Sequence, residues 1–289
     1  MRRAGSSPQP GPVAPLNYRH AFHAGNFADL VKHAALLQLL ACNTAGPAPL
    51  TVIDTHAGAG IYDLAGPEAQ RSGEAAAGVG RLASAREAPP EFAPLLAAVR
   101  RLNGGGPLRR YPGSPWLVVD AMRPQDRYIG CELRPAEHAQ LRQALQGRSN
   151  VEALCADGFA VAPDRCPKTG RVLVLIDPPF ERADDYAQVV RATAAVLRKN
   201  RAAQVLVWLP LKDLETFDAF LRDLEDGVEA PLLAAETRMR RLDDPMRMNG
   251  CALVLVGGAE DGSAGSLERI CRWTAETLGE GGGARVYAL

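Results

Sequence analysis

Asp177-Pro178-Pro179-Phe180 closes the apolar run VLVLI and carries more chemistry than any other tetrapeptide in the chain. Two prolines in succession have fixed φ and no N–H, so the backbone there is stiff and presents carbonyls. A carboxylate and a carbonyl both accept hydrogen bonds, and an exocyclic amine on a flat heterocycle has two hydrogens to donate. The adjacent Phe180 ring can stack on such a heterocycle. The lone pair of that amine is delocalised into its ring. Hydrogen bonds to Asp177 and the Pro178 carbonyl would favour a pyramidal nitrogen and absorb the positive charge that develops as it attacks an electrophile. Read alone, the tetrapeptide is equally a turn that ends a buried strand.

Three further acids stand at the ends of apolar runs. Asp54 precedes a glycine-dense turn, Asp54-Thr-His56-Ala-Gly58-Ala-Gly60. Glycines allow a tight turn and close backbone approach to a ligand. The dinucleotide fingerprint G-x-G-x-x-G fails here, because Asp63 stands where its third glycine belongs. Glu132 ends RYIGCE, where a carboxylate can accept bonds from both ribose hydroxyls. Asp157-Gly158 ends the run VEALCADG, and a carboxylate there suits an adenine amine. Each acid alone fits a helix or turn cap as well. Taken in order at successive strand ends, they favour a nucleoside ligand.

These residues need a scaffold that gathers strand ends. Apolar runs (TVID, RYIGCEL, VEALCADGF, RVLVLIDPPF, AQVLVWLPL, CALVLVG, ARVYAL) alternate with helical stretches at WLVVDAM (residues 116–122), at residues 135–146, and near residues 184–199, 211–225 and 265–279. That alternation predicts a three-layer α/β fold with a mostly parallel sheet. The strands apolar throughout are those covered on both faces. Leu30, Val31, Ala34, Leu37 and Leu40 recur at helical spacing, with Asn26 as N-cap and Asp29 as a first-turn acid. We expect residues 1–15, rich in Pro, Gly and Ser, to be a disordered tail. Residues 16–63 hold the N-terminal motif, a helix and the first strand. Residues 64–110 form a helical insertion, and residues 111–289 the remainder of the domain.

Lysine plus arginine equals aspartate plus glutamate, 33 each, in a chain of 289 residues. A zero net charge argues against a large global positive field and leaves a local basic face open. With 47% hydrophobic and 23% charged residues, the chain can bury a substantial core. Six cysteines are scattered without a C-x-x-C pair, which points to free thiols in a reducing compartment. Two arginines near the start have no apolar run behind them, so no signal peptide is expected, nor any membrane span.

D-x-x-x-G-x-G resembles the first motif of S-adenosylmethionine-dependent methyltransferases. With D-P-P-F it gives the pattern of enzymes acting on adenine N6 or cytosine N4. A more specific resemblance lies in Tyr18-Arg-His20-Ala-Phe-His23-Ala-Gly25-Asn26, Lys32-His33, the glycine turn, Tyr111-Pro-Gly113-Ser114-Pro115 and Asp177-Pro178-Pro179-Phe180. Together they are similar to the RlmJ family of bacterial 23S rRNA adenine-N6 methyltransferases, over residues 16 to 289. The resemblance implies a Rossmann-like fold and S-adenosylmethionine as donor, leaving S-adenosylhomocysteine. It implies cofactor contacts at Lys32, His33, Asp54, His56, Gly58, Gly60, Ser114, Glu132, Asp157, Gly158 and Asp177, with Asp177 catalytic. Tyr18, His20, Pro178 and Phe180 would meet a flipped-out adenine of free or partly assembled 23S rRNA. The enzyme would be a cytoplasmic monomer that uses no metal. The chain departs from the family at Phe180, where tyrosine is frequent, at Phe27, where histidine occurs, and in its extra N-terminal tail.

The alternative is a DNA adenine-N6 methyltransferase, which shares all this chemistry. His20 and His23 have metal-like spacing, but no third and fourth ligand is evident, so hydrogen-bonding roles are expected. His138, on a polar helix, reads as solvated surface, and Asp29 as a helix-start residue rather than a catalyst. Arg100-Arg101, Arg109-Arg110 and Arg238, Arg240, Arg241 with Arg247 are either solvated faces or phosphate contacts. The segment RMRRLDDPMRMNG is a candidate target-facing loop.

Overall fold

The computed structural model describes residues 19–241, 248–258 and 263–289. In chain order the elements are α1 (Phe27–Thr44), β1 (Leu50–Asp54), β2 (Ile61–Asp63), α2 (Pro67–Ser72), α3 (Arg81–Ser84), α4 (Ala93–Leu102) and β3 (Arg110–Pro112). Then come α5 (Ser114–Ala121), β4 (Arg127–Cys131), α6 (Pro135–Ala144), β5 (Val151–Leu154), α7 (Gly158–Arg165), β6 (Arg171–Ile176) and α8 (Asp185–Lys199). The last are β7 (Gln204–Leu211), α9 (Leu214–Gly227), β8 (Leu232–Arg238), β9 (Gly250–Val256), α10 (Ser263–Leu278) and β10 (Gly283–Ala288).

One eight-stranded sheet has the order β10-β8-β9-β7-β6-β1-β4-β5. The run β7-β6-β1-β4-β5 is parallel, whereas β9 lies antiparallel between β7 and β8, and β10 is antiparallel to β8. The order reverses at β1, so a crevice opens there at the carboxyl ends of the strands.

The two-residue period of the strands sorts their side chains onto two faces. On β6, Leu173 and Leu175 join the core beneath α1, α5 and α10, and Val172, Val174 and Ile176 join the core beneath α7, α8 and α9. The expected three-layer α/β fold with a mostly parallel sheet is therefore present. The segment between β2 and β3 is helical and includes a π-helical turn at Ala76–Gly80. Its Val79, Leu82, Phe92 and Leu95 are buried in the same core as α1.

Four elements escaped the sequence reading. β8 (LLAAETR) has two alanines and no β-branched residue before Thr237, and it is a strand because β9 and β10 pair with its two edges. α7 is short, starts on glycine and contains Pro163. β2 and β3 are three-residue strands that pair only with each other, too short for a period to register.

Candidate active site

The glycine turn after β1 is built from backbone bonds. Gly58 and Gly60 have φ of 63° and 81°. A Cβ on Gly58 would lie 2.2 Å from the Tyr62 hydroxyl oxygen, which accepts the Ala59 N–H at 3.2 Å. The Gly58 N–H reaches Glu132 Oε2 at 3.1 Å, and the Arg134 N–H reaches Glu132 Oε1 at 2.8 Å. These bonds hold Glu132 at the end of β4, facing the crevice. Burial nevertheless pushes its carboxyl above the usual range. Gly158 is required for close approach: a Cβ there would sit 2.0 Å from the Thr55 carbonyl oxygen, so α7 starts hard against the end of β1. Asp157 caps α7, accepting the Phe159 N–H at 2.9 Å, and remains exposed to the crevice.

Asp54 does not line the crevice, contrary to expectation. It is fully buried behind the turn, where Ser114 Oγ donates to Oδ2 at 2.7 Å and the Tyr128 hydroxyl at 3.1 Å. Burial pushes its carboxyl up to about 6, and Oδ1 has no hydrogen-bond partner among the described residues. Ser114 also reaches the crevice surface. His56 lines it too. Its Nδ1 pairs with Thr55 Oγ1 at 2.8 Å, its ring stands edge-on to Phe159, and burial pushes it down to about 4, so the imidazole is neutral near pH 7.

A second cluster comes from the first turn of α1. Asp29 is the first-turn acid expected of α1, its N–H donating to the Asn26 cap at 3.0 Å, and its carboxylate is also a hub. Its Oδ2 accepts the Gly25 N–H at 2.9 Å and pairs with His20 Nε2 at 3.1 Å, and its Oδ1 takes Lys32 Nζ at 2.9 Å. Lys32 Nζ also reaches Asp177 Oδ2 at 2.5 Å. Burial opposes the charge on both Lys32 and Asp29. The Asp177 and Asp29 carboxylates hold Lys32 well above its ordinary value, and His20, Lys32 and His33 hold Asp29 well below its own. His33 pairs with the Tyr111 hydroxyl at 2.9 Å, and burial pushes it down to about 3. His20 and His23 turn to different carboxylates, His23 meeting Glu74 at 3.0 Å, as hydrogen-bonding roles require. Asp29 was legible in principle, since Asp29, Lys32 and His33 share one helix face at i, i+3 and i+4.

The D-P-P-F turn completes the wall. Asp177, Pro178 and Pro179 line a crevice of about 950 Å³, together with His20, Lys32, His33, Glu132 and Asp157. Phe180 is the exception. It adopts φ 51°, and its ring packs against Tyr186 at 4.6 Å and Trp208 at 6.2 Å, off the crevice surface. The aromatic ring that reaches the crevice on this side is Trp208 of β7, which sequence reasoning did not single out. Tyr18 lies outside the described residues. His138 is half-buried and bonds to the Ala153 carbonyl at 3.1 Å, so it ties α6 to β5 rather than facing solvent. Among the described residues no group of three or more His, Cys, Asp or Glu side chains is arranged to hold a metal, and no helix is long and apolar enough to cross a membrane.

A sheet reversing at β1, with acids at the ends of β4, β5 and β6 around one crevice, defines a Rossmann-like fold of the S-adenosylmethionine-dependent methyltransferase type. The sequence profile of the family described as ribosomal RNA large subunit methyltransferase D, RlmJ, matches residues 47–288. Ribosomal RNA large subunit methyltransferase J of Haemophilus influenzae is 34% identical over 243 residues, covering 83% of this chain and 86% of the relative. The protein of that name in Escherichia coli is 32% identical over 242 residues, with the same coverage. A crystal structure of a Legionella pneumophila protein superposes with a TM-score of 0.82 at 28% identity, covering 92% of this chain and 98% of that one. The chain belongs to the RlmJ family of ribosomal RNA large subunit methyltransferases, as the N-terminal block and D-P-P-F implied.

Proposed function

We propose that this chain transfers a methyl group from S-adenosylmethionine to the N6 amine of one adenine in 23S ribosomal RNA. One observation carries the reading: Asp177, at the end of β6, shares a single crevice with Glu132 and Asp157, at the ends of β4 and β5. An amine-accepting acid thus stands beside a nucleoside-type site. The crevice, about 950 Å³, lies at the upper end of the roughly 300–1,000 Å³ usual for small-molecule sites, which suits a cofactor plus an extruded base.

The residues fit that cofactor. Glu132 would take the ribose hydroxyls, Asp157 and the start of α7 the adenine, and the glycine turn would bring bare backbone to the ligand. His33, Ser114 and buried Asp54 would support the same pocket, with neutral His56 in its wall. When bound, S-adenosylmethionine supplies an electrophilic methyl group on a positive sulfonium and is left as S-adenosylhomocysteine. Asp177 and the Pro178 carbonyl accept hydrogen bonds from the two amine hydrogens and orient the nitrogen lone pair, and one of those protons leaves for solvent once the N–CH3 bond has formed. Asp177 also stabilises the positive charge that develops on that nitrogen. Lys32, anchored by Asp29, aims the Asp177 carboxylate. His20 lies on the same wall and would contact the base with Tyr18, and Phe180 would stack on the base after turning from Trp208.

On this reading the enzyme is a cytoplasmic monomer that works without a metal on free or partly assembled large-subunit RNA, with residues 64–110 as an insertion behind α1. The test is mass spectrometry of 23S rRNA from a strain lacking the protein, with matched RNA and DNA oligonucleotides assayed in vitro. Loss of one N6-methyladenosine and preference for RNA are expected. An unchanged modification map, or equal methylation of DNA, would overturn the reading.

A further inference from the structure

The crevice extends past Asp177 to the far side of the sheet. There the ends of β7, β8 and β9 supply Trp208, Pro210, Lys212, Met239, Arg240 and Met248. Its cations differ in what they already hold. Lys32 is paired with Asp177 and Asp29, Arg19 with Glu68, Arg134 with Glu137, and Arg182 with Asp184. Lys212 and Arg240 make no ion pair among the described residues, and Glu280, an acid lining the same crevice, pairs with neither. Arg240 is half-buried, and its Nε lies out of water without an acceptor among the described residues. A guanidinium N–H in that state has lost its hydration and gained no partner, and an anion entering the crevice supplies one.

The structure also separates the basic cluster of this region. Arg238 is committed to the buried carboxylate of Glu236 at 2.5 Å, and Arg247 lies outside the described residues. Arg240 turns to the crevice. Because the chain has no net charge, attraction for a polyanion must come from local cations of this kind.

We propose that Lys212 and Arg240 form a phosphate subsite that grips the RNA backbone beside the target nucleotide. The inference rests on the RNA-methylating reading above. Phosphate contacts fix register without reading sequence, so the pair positions the strand while the D-P-P-F turn handles the base.

The test uses the full-length protein and a 23S rRNA fragment that the wild type methylates. Lys212→Ala and Arg240→Ala should each raise KM and Kd for the fragment by on the order of tenfold, with kcat changing far less. Each should also lower the slope of log affinity against log salt by about 0.7 to 1, one phosphate contact. Arg240→Lys should keep most of that slope. Calorimetric affinity for S-adenosylhomocysteine should stay at the wild-type value. Unchanged RNA affinity and salt slope would overturn the subsite, as would a parallel loss of S-adenosylhomocysteine affinity. Failure of the wild type to methylate any large-subunit RNA fragment would instead overturn the functional reading beneath it.

Discussion

Replacing Asp29 by asparagine removes one charge and exchanges one acceptor for a donor at the centre of a buried network. Asp29 accepts from the Gly25 N–H at 2.9 Å, His20 Nε2 at 3.1 Å and Lys32 Nζ at 2.9 Å. Asparagine has a single oxygen, so an NH2 group must face at least one of these donors. A hydrogen bond to a charged group contributes about 1.5–3 kcal/mol, and breaking a buried ion pair from one side costs about 3–5 kcal/mol. Because Lys32 keeps Asp177 at 2.5 Å, the lower end applies, about 3 kcal/mol. The pH dependence follows from the depressed Asp29 value. A carboxyl held below its unfolded pKa of about 4 contributes its full stability above that pH and loses it as pH falls through the folded value. Urea unfolding should therefore show a gap of about 3 kcal/mol between wild type and Asp29→Asn at pH 7, shrinking below about pH 4. In the methylation assay kcat should fall by about tenfold or more, since Lys32 no longer aims Asp177 from two sides, while S-adenosylhomocysteine affinity holds. Equal stability of the two proteins at pH 7, or a gap that persists unchanged at pH 3, would refute the placement of Asp29 as an ionised positioning residue.

Asp177→Asn should lower kcat about 100-fold or more with little change in cofactor affinity, as loss of a group that stabilises transition-state charge does, and single-turnover methylation measures it. Glu132→Ala should weaken S-adenosylhomocysteine binding by about 1.5–3 kcal/mol in calorimetry, and an unchanged affinity would remove Glu132 from the ribose. Asp54→Asn tests the opposite linkage. Burial raises the Asp54 carboxyl to about 6, so its ionisation should cost stability as pH rises from about 4 through 6. The variant should unfold at higher urea than wild type at pH 7, by about 2–3 kcal/mol, and at similar urea near pH 4.

The acids at the strand ends were legible because their signals are local. Each stands at or just beyond the end of a short strand-like run, and consecutive βα units put such ends on one edge of a sheet. The glycine turn was legible for the same reason, since positive φ at Gly58 and Gly60 is a demand that residue type reveals. Family membership also came from local words in the sequence, above all the N-terminal block and D-P-P-F.

What the sequence left open depends on contacts between distant segments. Lys32 and Asp177 are 145 residues apart, and only folding turned a helix-start acid, Asp29, into the anchor of that pair. Depth was equally hidden. Asp54 and Glu132 both end strands, yet packing of Ser114 and Tyr128 over Asp54 buries it behind the wall that Glu132 faces. β8 has a weak strand composition and exists because two neighbours pair with it. Residue type and spacing therefore determined which chemical groups this protein brings to its sheet. Which of them meet, which are covered and which way Phe180 points were decided by tertiary packing, because desolvation and long-range pairing have no counterpart in a local stretch of chain.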